Sequence, residues 1–219
     1  MIYPNVEVGE GTVIQEGVIV GEPPRGAKPG ELKTRIGAGG VVRSGTVIYA
    51  GAIIGDRFNS GHWALIREDN VVGDDCSVGT NAVLEAGNRI GSGTRIHSGC
   101  FLEHTTIGDR VFLAPHVVFT DDPHPMCPSY LACVLGATVA DDVSIGANAT
   151  ILPGIKIGAG SLIGAGSVVT NDVDAGSVVA GSPAVRIKAV ADLVCFKGFY
   201  ERPYIWRDAE FHGRKPSPR

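Results

Sequence analysis

The sequence predicts an all-β solenoid, a three-sided prism of short parallel strands, and three observations lead there. Aliphatic side chains recur at every sixth position, and glycine, aspartate or serine crowds the places between them. The composition agrees: the 219 residues include 31 Gly and 13 Pro, and 44% of them are hydrophobic while only 6% are aromatic, so the apolar mass sits in small and β-branched side chains. That excludes a helical bundle. A strict period of six also matches neither a free-standing strand, which alternates every second residue, nor a helix, which recurs every 3.6.

The longest column runs Ile36, Val42, Ile48, Ile54, Ser60, Ile66, Val72, Val78, Leu84, Ile90, Ile96 and Leu102, interrupted at Ser60 alone, which reads as a tolerated small residue. A second register holds Ile107, Leu113 and Phe119, and a third holds Val139, Ile145, Ile151, Ile157, Ile163 and Val169. Val8, Ile14 and Val20 form a leading fragment. Each unit is one strand and one tight turn. Three units close a coil of about eighteen residues, and equivalent side chains stack one coil apart at about 4.8 Å. Glycine supplies the positive φ that corners require. Cys76 and Cys100 fall at the fifth place of a hexapeptide, where a small inward side chain is wanted. No CxxC pair occurs among cysteines 76, 100, 127, 133 and 195, so they read as reduced thiols.

A loop that leaves a rigid wall can carry chemistry without disturbing the stack, so the interruptions matter most. Residues 22–34 and 121–138 are inserts, and a tail begins near residue 183; one residue is also dropped between Leu102 and Ile107. The expected division is a β-helix domain over 1–185 and a C-terminal helix and tail over 186–219. Apolar residues at helical spacing over 189–197 predict a short helix capping the last coil, and residues 211–219 read as frayed. Counting coils places Glu68, Ala86, His104 and Asp121 in one corner column and Arg67, Glu85, Glu103 and Thr120 in the next. Both inserts then leave the same corner about five rungs apart.

The run Leu113-Ala114-Pro115-His116-Val117-Val118-Phe119-Thr120-Asp121-Asp122-Pro123-His124-Pro125 carries a resemblance. It is similar to segments of hexapeptide-repeat acyltransferases, both galactoside and maltose O-acetyltransferases and nucleotide-amino-sugar N-acetyltransferases. The resemblance covers roughly residues 6–185. It implies a left-handed parallel β-helix, acetyl-CoA as donor, a homotrimer and a sugar or sugar-nucleotide acceptor. In the O-acetyltransferases the His-Pro carries the general base, which would be His124. In the amino-sugar group the turn leads into Phe-Thr-Asn-Asp, so Asp121 stands for the usual Asn. Gly136-Ala137-Thr138 and the run from Ile145 to Gly154, with Ser144 in place of a tryptophan, look more like the amino-sugar group. Family positions for coenzyme A map onto Ala147, Gly164, Ala165 and Ser167, and the phosphate-binding end onto Arg186 and Lys188, with Val185 inserted before them.

The chemistry fits a histidine at that corner. Acyl transfer from a thioester needs a nucleophile that loses a proton as it attacks, and an imidazole accepts protons near neutral pH. The catalytic candidates are therefore His124, His104 and Asp121, the last stacked so as to fix the His104 tautomer. Glu103, Glu85 and Asp122 are candidate substrate contacts; stacked like charges at Glu85 and Glu103 call for a partner, either an acceptor group or Arg67. His97 and His116 read as bystanders, and His62, in a column of its own two coils lower, lines a substrate edge or nothing.

Alternatives of other classes are a zinc enzyme of the carbonic-anhydrase kind and a non-catalytic scaffold. The zinc reading needs converging histidines, whereas His97 and His104 fall on different faces, and no metal is expected. With a formal charge of -4 and scattered basic residues, no nucleic-acid or anionic-membrane partner is expected. No leader pattern opens the chain and no apolar run approaches about 18 residues, so the expected compartment is the cytoplasm.

Overall fold

A computed structural model describes residues 1–207. The reading of residues 211–219 lies outside them. The chain winds as a left-handed parallel β-helix with three faces, built of eight, ten and eight strands in register. The first face starts at Val6–Val8 and ends at Lys156–Ile157; the second starts at Val13–Ile14, the third at Ile19–Glu22. We call the turns from first to second face the first edge, from second to third the second edge, and from third to first the third edge.

Two-residue strands dominate because each hexapeptide places one side chain inward and one outward before it must turn. The inward members of the columns are fully buried, among them Ile36, Ile48, Leu84, Leu102, Phe119 and Ile151. Each such side chain contributes roughly 2 kcal/mol of hydrophobic stabilisation. Cys76 and Cys100 are buried as expected, and burial raises both thiol pKa values, that of Cys76 to about 11. Ser60 requires a correction. Its hydroxyl is buried, lies 3.1 Å from Thr46 Oγ1 and accepts the Arg43 N–H at 2.8 Å, so it satisfies polar groups inside the wall instead of merely occupying space.

The C-terminal helix also requires correction. Residues Ala184–Ala189 form a strand antiparallel to Ser177–Gly181 on the end of the second face, and the helical part shrinks to one 3-10 turn at Val190–Asp192. An unpaired strand edge at the top of the prism is satisfied better by a strand than by a helix, because only a strand supplies a row of backbone partners. The chain then returns along the second face. Arg207 donates to the Asp142 carbonyl at 2.5 Å and to Ser144 Oγ at 3.1 Å.

Both inserts leave the third face at the third edge, five rungs apart. The longer insert contains the α-helix among the described residues, Tyr130–Cys133. Its neck is closed by the Leu135 N–H donating to the Asp121 carbonyl at 2.8 Å, and the Gly154 N–H of the next coil donates to Leu135 at 2.9 Å.

Candidate functional site

The third edge is built from the ends of stacked strands. Leu84 pairs with Leu102 and Phe101 with Val118, which aligns Glu85 with Glu103 and Thr120. On the next strand Arg89 pairs with Thr106. Four residues, 85–88, therefore turn the lower coil, and only Glu103, His104 and Thr105 turn the upper one. His104 takes the place of two residues and carries a left-handed φ of 44°, as Gly87 does below it at 84°. A non-glycine residue in that region is strained by about 1–2 kcal/mol.

The surroundings leave His104 little choice. A Cβ on Gly87 would meet the imidazole Cδ2 at 2.8 Å, and one on Gly136, where the long insert returns, would overlap the His104 carbonyl oxygen. The ring is thus seated on one glycine while its backbone is pressed by another. Its Nδ1 lies 2.5 Å from Asp121 Oδ2. The Asp121 side chain is 11% exposed and that of His104 51%, so the acid is the buried anchor and the imidazole faces outward. A carboxylate on Nδ1 holds the proton there and leaves Nε2 as the free acceptor.

A cleft of about 460 Å³ opens at this point, lined by Glu103, His104, Thr120, Asp121 and Asp122 from the edge and by Pro125, Tyr130, Leu131 and Val134 from the insert. Burial raises the Glu103 pKa, and the neighbouring Asp121 and Glu85 charges raise it further, to about 7. One coil down the charges are paired: Arg67 donates to Glu85 at 2.6 Å and to Glu68 at 2.7 Å. Of the two partners considered for the glutamate column, Arg67 holds Glu85, and Glu103 faces the cleft.

His104, Asp121, Glu103 and Asp122 are therefore brought together. Glu85 lies one coil below with Arg67. His124 is exposed on the insert, outside the residues lining the cleft; its N–H donates to Asp122 Oδ1 at 2.8 Å. Elsewhere, His62 meets Ser44 Oγ at 2.9 Å on the second edge, the His116 ring lies over Gly99, and His97 packs against Phe112 with ring centroids 4.8 Å apart. Among the described residues no group of three or more His, Cys, Asp or Glu could hold a metal ion.

The positions mapped for coenzyme A lie on the second edge and the end strand. Ala147 and Ala165 stack, with the Gly166 N–H donating to the Ala147 carbonyl at 2.8 Å, and Ala165 is exposed. Ser167 is fully buried and its Oγ accepts the Gly181 N–H at 3.2 Å, so its side chain braces the wall. Arg186 and Lys188 are exposed on the antiparallel strand.

The sequence reading missed Asn70, Asn88 and Thr105, all fully buried behind the edge. Their signal was present: Asn70 and Asn88 are one coil apart in the same hexapeptide place. It also missed the apolar lining that Tyr130, Leu131 and Val134 give the cleft, because an insert has no period to read.

Comparison with known proteins agrees with the repeat. Residues 136–171 match the model of the bacterial transferase hexapeptide family, described as six repeats. A 2,3,4,5-tetrahydropyridine-2,6-dicarboxylate N-acetyltransferase of Clostridium perfringens (strain SM101) is 59% identical over 63 residues, 29% of this chain and 25% of that protein. The chain thus matches about a quarter of that relative's length. The UDP-N-acetylglucosamine acyltransferase from Campylobacter jejuni superposes with a TM-score of 0.53 at 18% identity, covering 86% of this chain and 75% of that one. A polySia-specific acetyltransferase superposes at 0.52 and 24% identity, over 84% and 85% of the two chains. At those identities the two structures share the fold. The match over 136–171 falls on coils of the same kind as the rest of the prism, and the chain is a left-handed β-helix of hexapeptide repeats.

Proposed function

We propose that this chain is an acetyl-CoA-dependent acetyltransferase that acts on a sugar, with the amino group of a nucleotide-linked amino sugar as acceptor. The observation that carries the reading is the His104 imidazole, fixed through Nδ1 by buried Asp121 and exposed to a cleft that two further carboxyl groups line. The high identity of one segment to an enzyme named as an N-acetyltransferase supports transfer to nitrogen.

The chemistry follows from that arrangement. The carboxylates of Asp121 and Asp122, with Glu103 partly ionised near neutral pH, favour an acceptor that arrives as an ammonium and position it beside Nε2. The acceptor gives one proton to water to become a free amine. As its nitrogen bonds to the thioester carbonyl carbon, His104 takes the second proton, and Asp121 stabilises the imidazolium. Collapse breaks the carbon–sulfur bond, and the proton on His104 passes to the departing thiolate. The donor's pantetheine arm would run along the small residues Ala147, Gly164 and Ala165 of a neighbouring subunit in a homotrimer, with Arg186 and Lys188 toward its phosphates. Small corner residues permit a ligand close to the main chain.

The test is thiol release from acetyl-CoA with a panel of amino and hydroxyl sugar nucleotides, beside calorimetry with coenzyme A. Release with an amino acceptor supports the reading, and release with hydroxyl acceptors alone moves it to O-transfer. If coenzyme A does not bind and no acceptor releases thiol, the enzyme reading fails and the scaffold alternative takes its place.

A further inference from the structure

Behind the catalytic corner runs a ladder of buried amides. Asn70 Nδ2 donates to the Arg67 carbonyl at 3.0 Å and to the Glu85 carbonyl at 2.8 Å. One coil up, Asn88 Nδ2 donates to Asn70 Oδ1 at 3.0 Å and to the Glu85 carbonyl at 2.7 Å, while Asn88 Oδ1 accepts the Thr105 N–H at 2.8 Å. Thr105 Oγ1 then donates to the Glu103 carbonyl at 2.8 Å. All three side chains are fully buried.

This ladder ends on the shortened turn. Thr105 and Glu103 are the two neighbours of His104, and each has a backbone group held by the Asn88–Thr105 segment. The strained φ of His104 persists only while its surroundings over-determine it. Gly87 and Gly136 limit the ring and carbonyl from outside the wall, and Asn88 and Thr105 hold the flanking backbone from inside it. Without Asn88 Oδ1 the buried Thr105 N–H loses its partner, and the cheapest relief is to rotate the turn. Rotation would carry the imidazole away from Asp121.

We propose that Asn88, acting through Thr105, is a positioning residue that holds the His104 imidazole against Asp121. Asn70 makes the same kind of rung one coil further away and is linked to the 103–105 turn by hydrogen bonds only through Asn88, whose Oδ1–Thr105 bond its loss leaves in place, so it serves as the structural control. The proposal rests on His104 being the base, yet its primary readout does not require turnover.

The experiment reads the His104 ring nitrogens in the full 15N-labelled chain by NMR at one fixed pH, with the His104→Gln protein assigning the signals. In the wild type the Nδ1-protonated tautomer is expected to dominate, and Asn88→Ala should shift the ring toward the Nε2-protonated tautomer. It should also lower kcat about tenfold with KM for acetyl-CoA changed less than twofold, the pattern of a misplaced group. Asn70→Ala should leave the tautomer pattern unchanged while lowering the thermal midpoint comparably. Equal changes in both variants, or a wild-type pattern in Asn88→Ala, overturn the proposal. If Asn88→Ala does not fold, Thr105→Val should change the pattern and Thr105→Ser should restore it; a wild-type pattern in Thr105→Val overturns it equally. A protein that shows the NMR shift but releases no thiol with any acceptor would refute the acetyltransferase reading and leave the positioning role intact.

Discussion

Along the first edge, Asp56, Asp74, Ser92, Asp109 and Asp141 each accept a backbone N–H from the turn one rung earlier, at 2.7–3.2 Å. Arg57 and Arg110 add ion pairs to Asp75 and Asp142. The third edge begins in the same manner, with Arg67 between Glu68 and Glu85, and then departs from it where the coil loses a residue and the long insert leaves. There the side chains stop serving the wall: His104 and Asp121 bond to each other, and Glu103 lines an open cleft. The difference shows how a periodic fold makes a site. Acidic side chains that close hydrogen bonds rung to rung are spent on structure, and the same residue types become available to a ligand only where the register slips.

The sharpest way to break this comparison is to remove the imidazole. His104→Gln keeps a polar side chain of similar length but cannot serve as a base, and the expected loss is about 10²-fold or more in kcat. Its thermal midpoint should stay close to that of the wild type. His124→Ala, outside the cleft, should lose less than about fivefold. Thiol-release kinetics on both variants decide which histidine acts, and the reverse ranking would return the role to the His-Pro of the insert.

This ranking also marks what the sequence could and could not convey. The six-residue period made the strands, the buried column, the two inserts and the stacking of His104 on Asp121 legible, because a solenoid turns spacing directly into position. The end of the repeat was less legible. Residues 189–197 have helical spacing, yet the open edge of the last coil takes the adjacent residues as a strand. Likewise the His-Pro context singled out His124 by its neighbours in sequence, whereas the dropped residue between Leu102 and Ile107, which leaves His104 in the place of two residues, looked like a harmless slip. Asn88 and Thr105 were overlooked because the repeated asparagine at an inward place marks a polar rung but does not name the partners that give it a task.

A smaller effect is expected on the first edge. Asp74→Ala deprives the Asp56 N–H of its acceptor and removes one carboxylate beside Arg57, both near solvent. The thermal midpoint should fall by about 2 °C, the shift that a weak surface hydrogen bond gives in a chain of this size, with kcat unchanged. A large loss of activity would mean that the first edge is coupled to the site and that the two edges are not separate in function.

The last effect is one of pH, and it is the most specific to the third edge. Burial and the charges of Asp121 and Glu85 raise the Glu103 pKa from the ordinary glutamate range to about 7, so between those values the folded chain binds a proton that the unfolded chain does not. Stability then falls as pH rises across that window, and the contribution is fully present only below it. Glu103→Gln removes the titration while preserving shape. Urea midpoints at pH 5 and pH 8 should therefore show the wild type losing more stability on going to alkaline pH than the variant, and the two should converge at the acid end. Parallel slopes in wild type and Glu103→Gln would mean that the acids at the cleft are as well compensated as those of the first edge, and the case for an ammonium acceptor would lose its electrostatic basis.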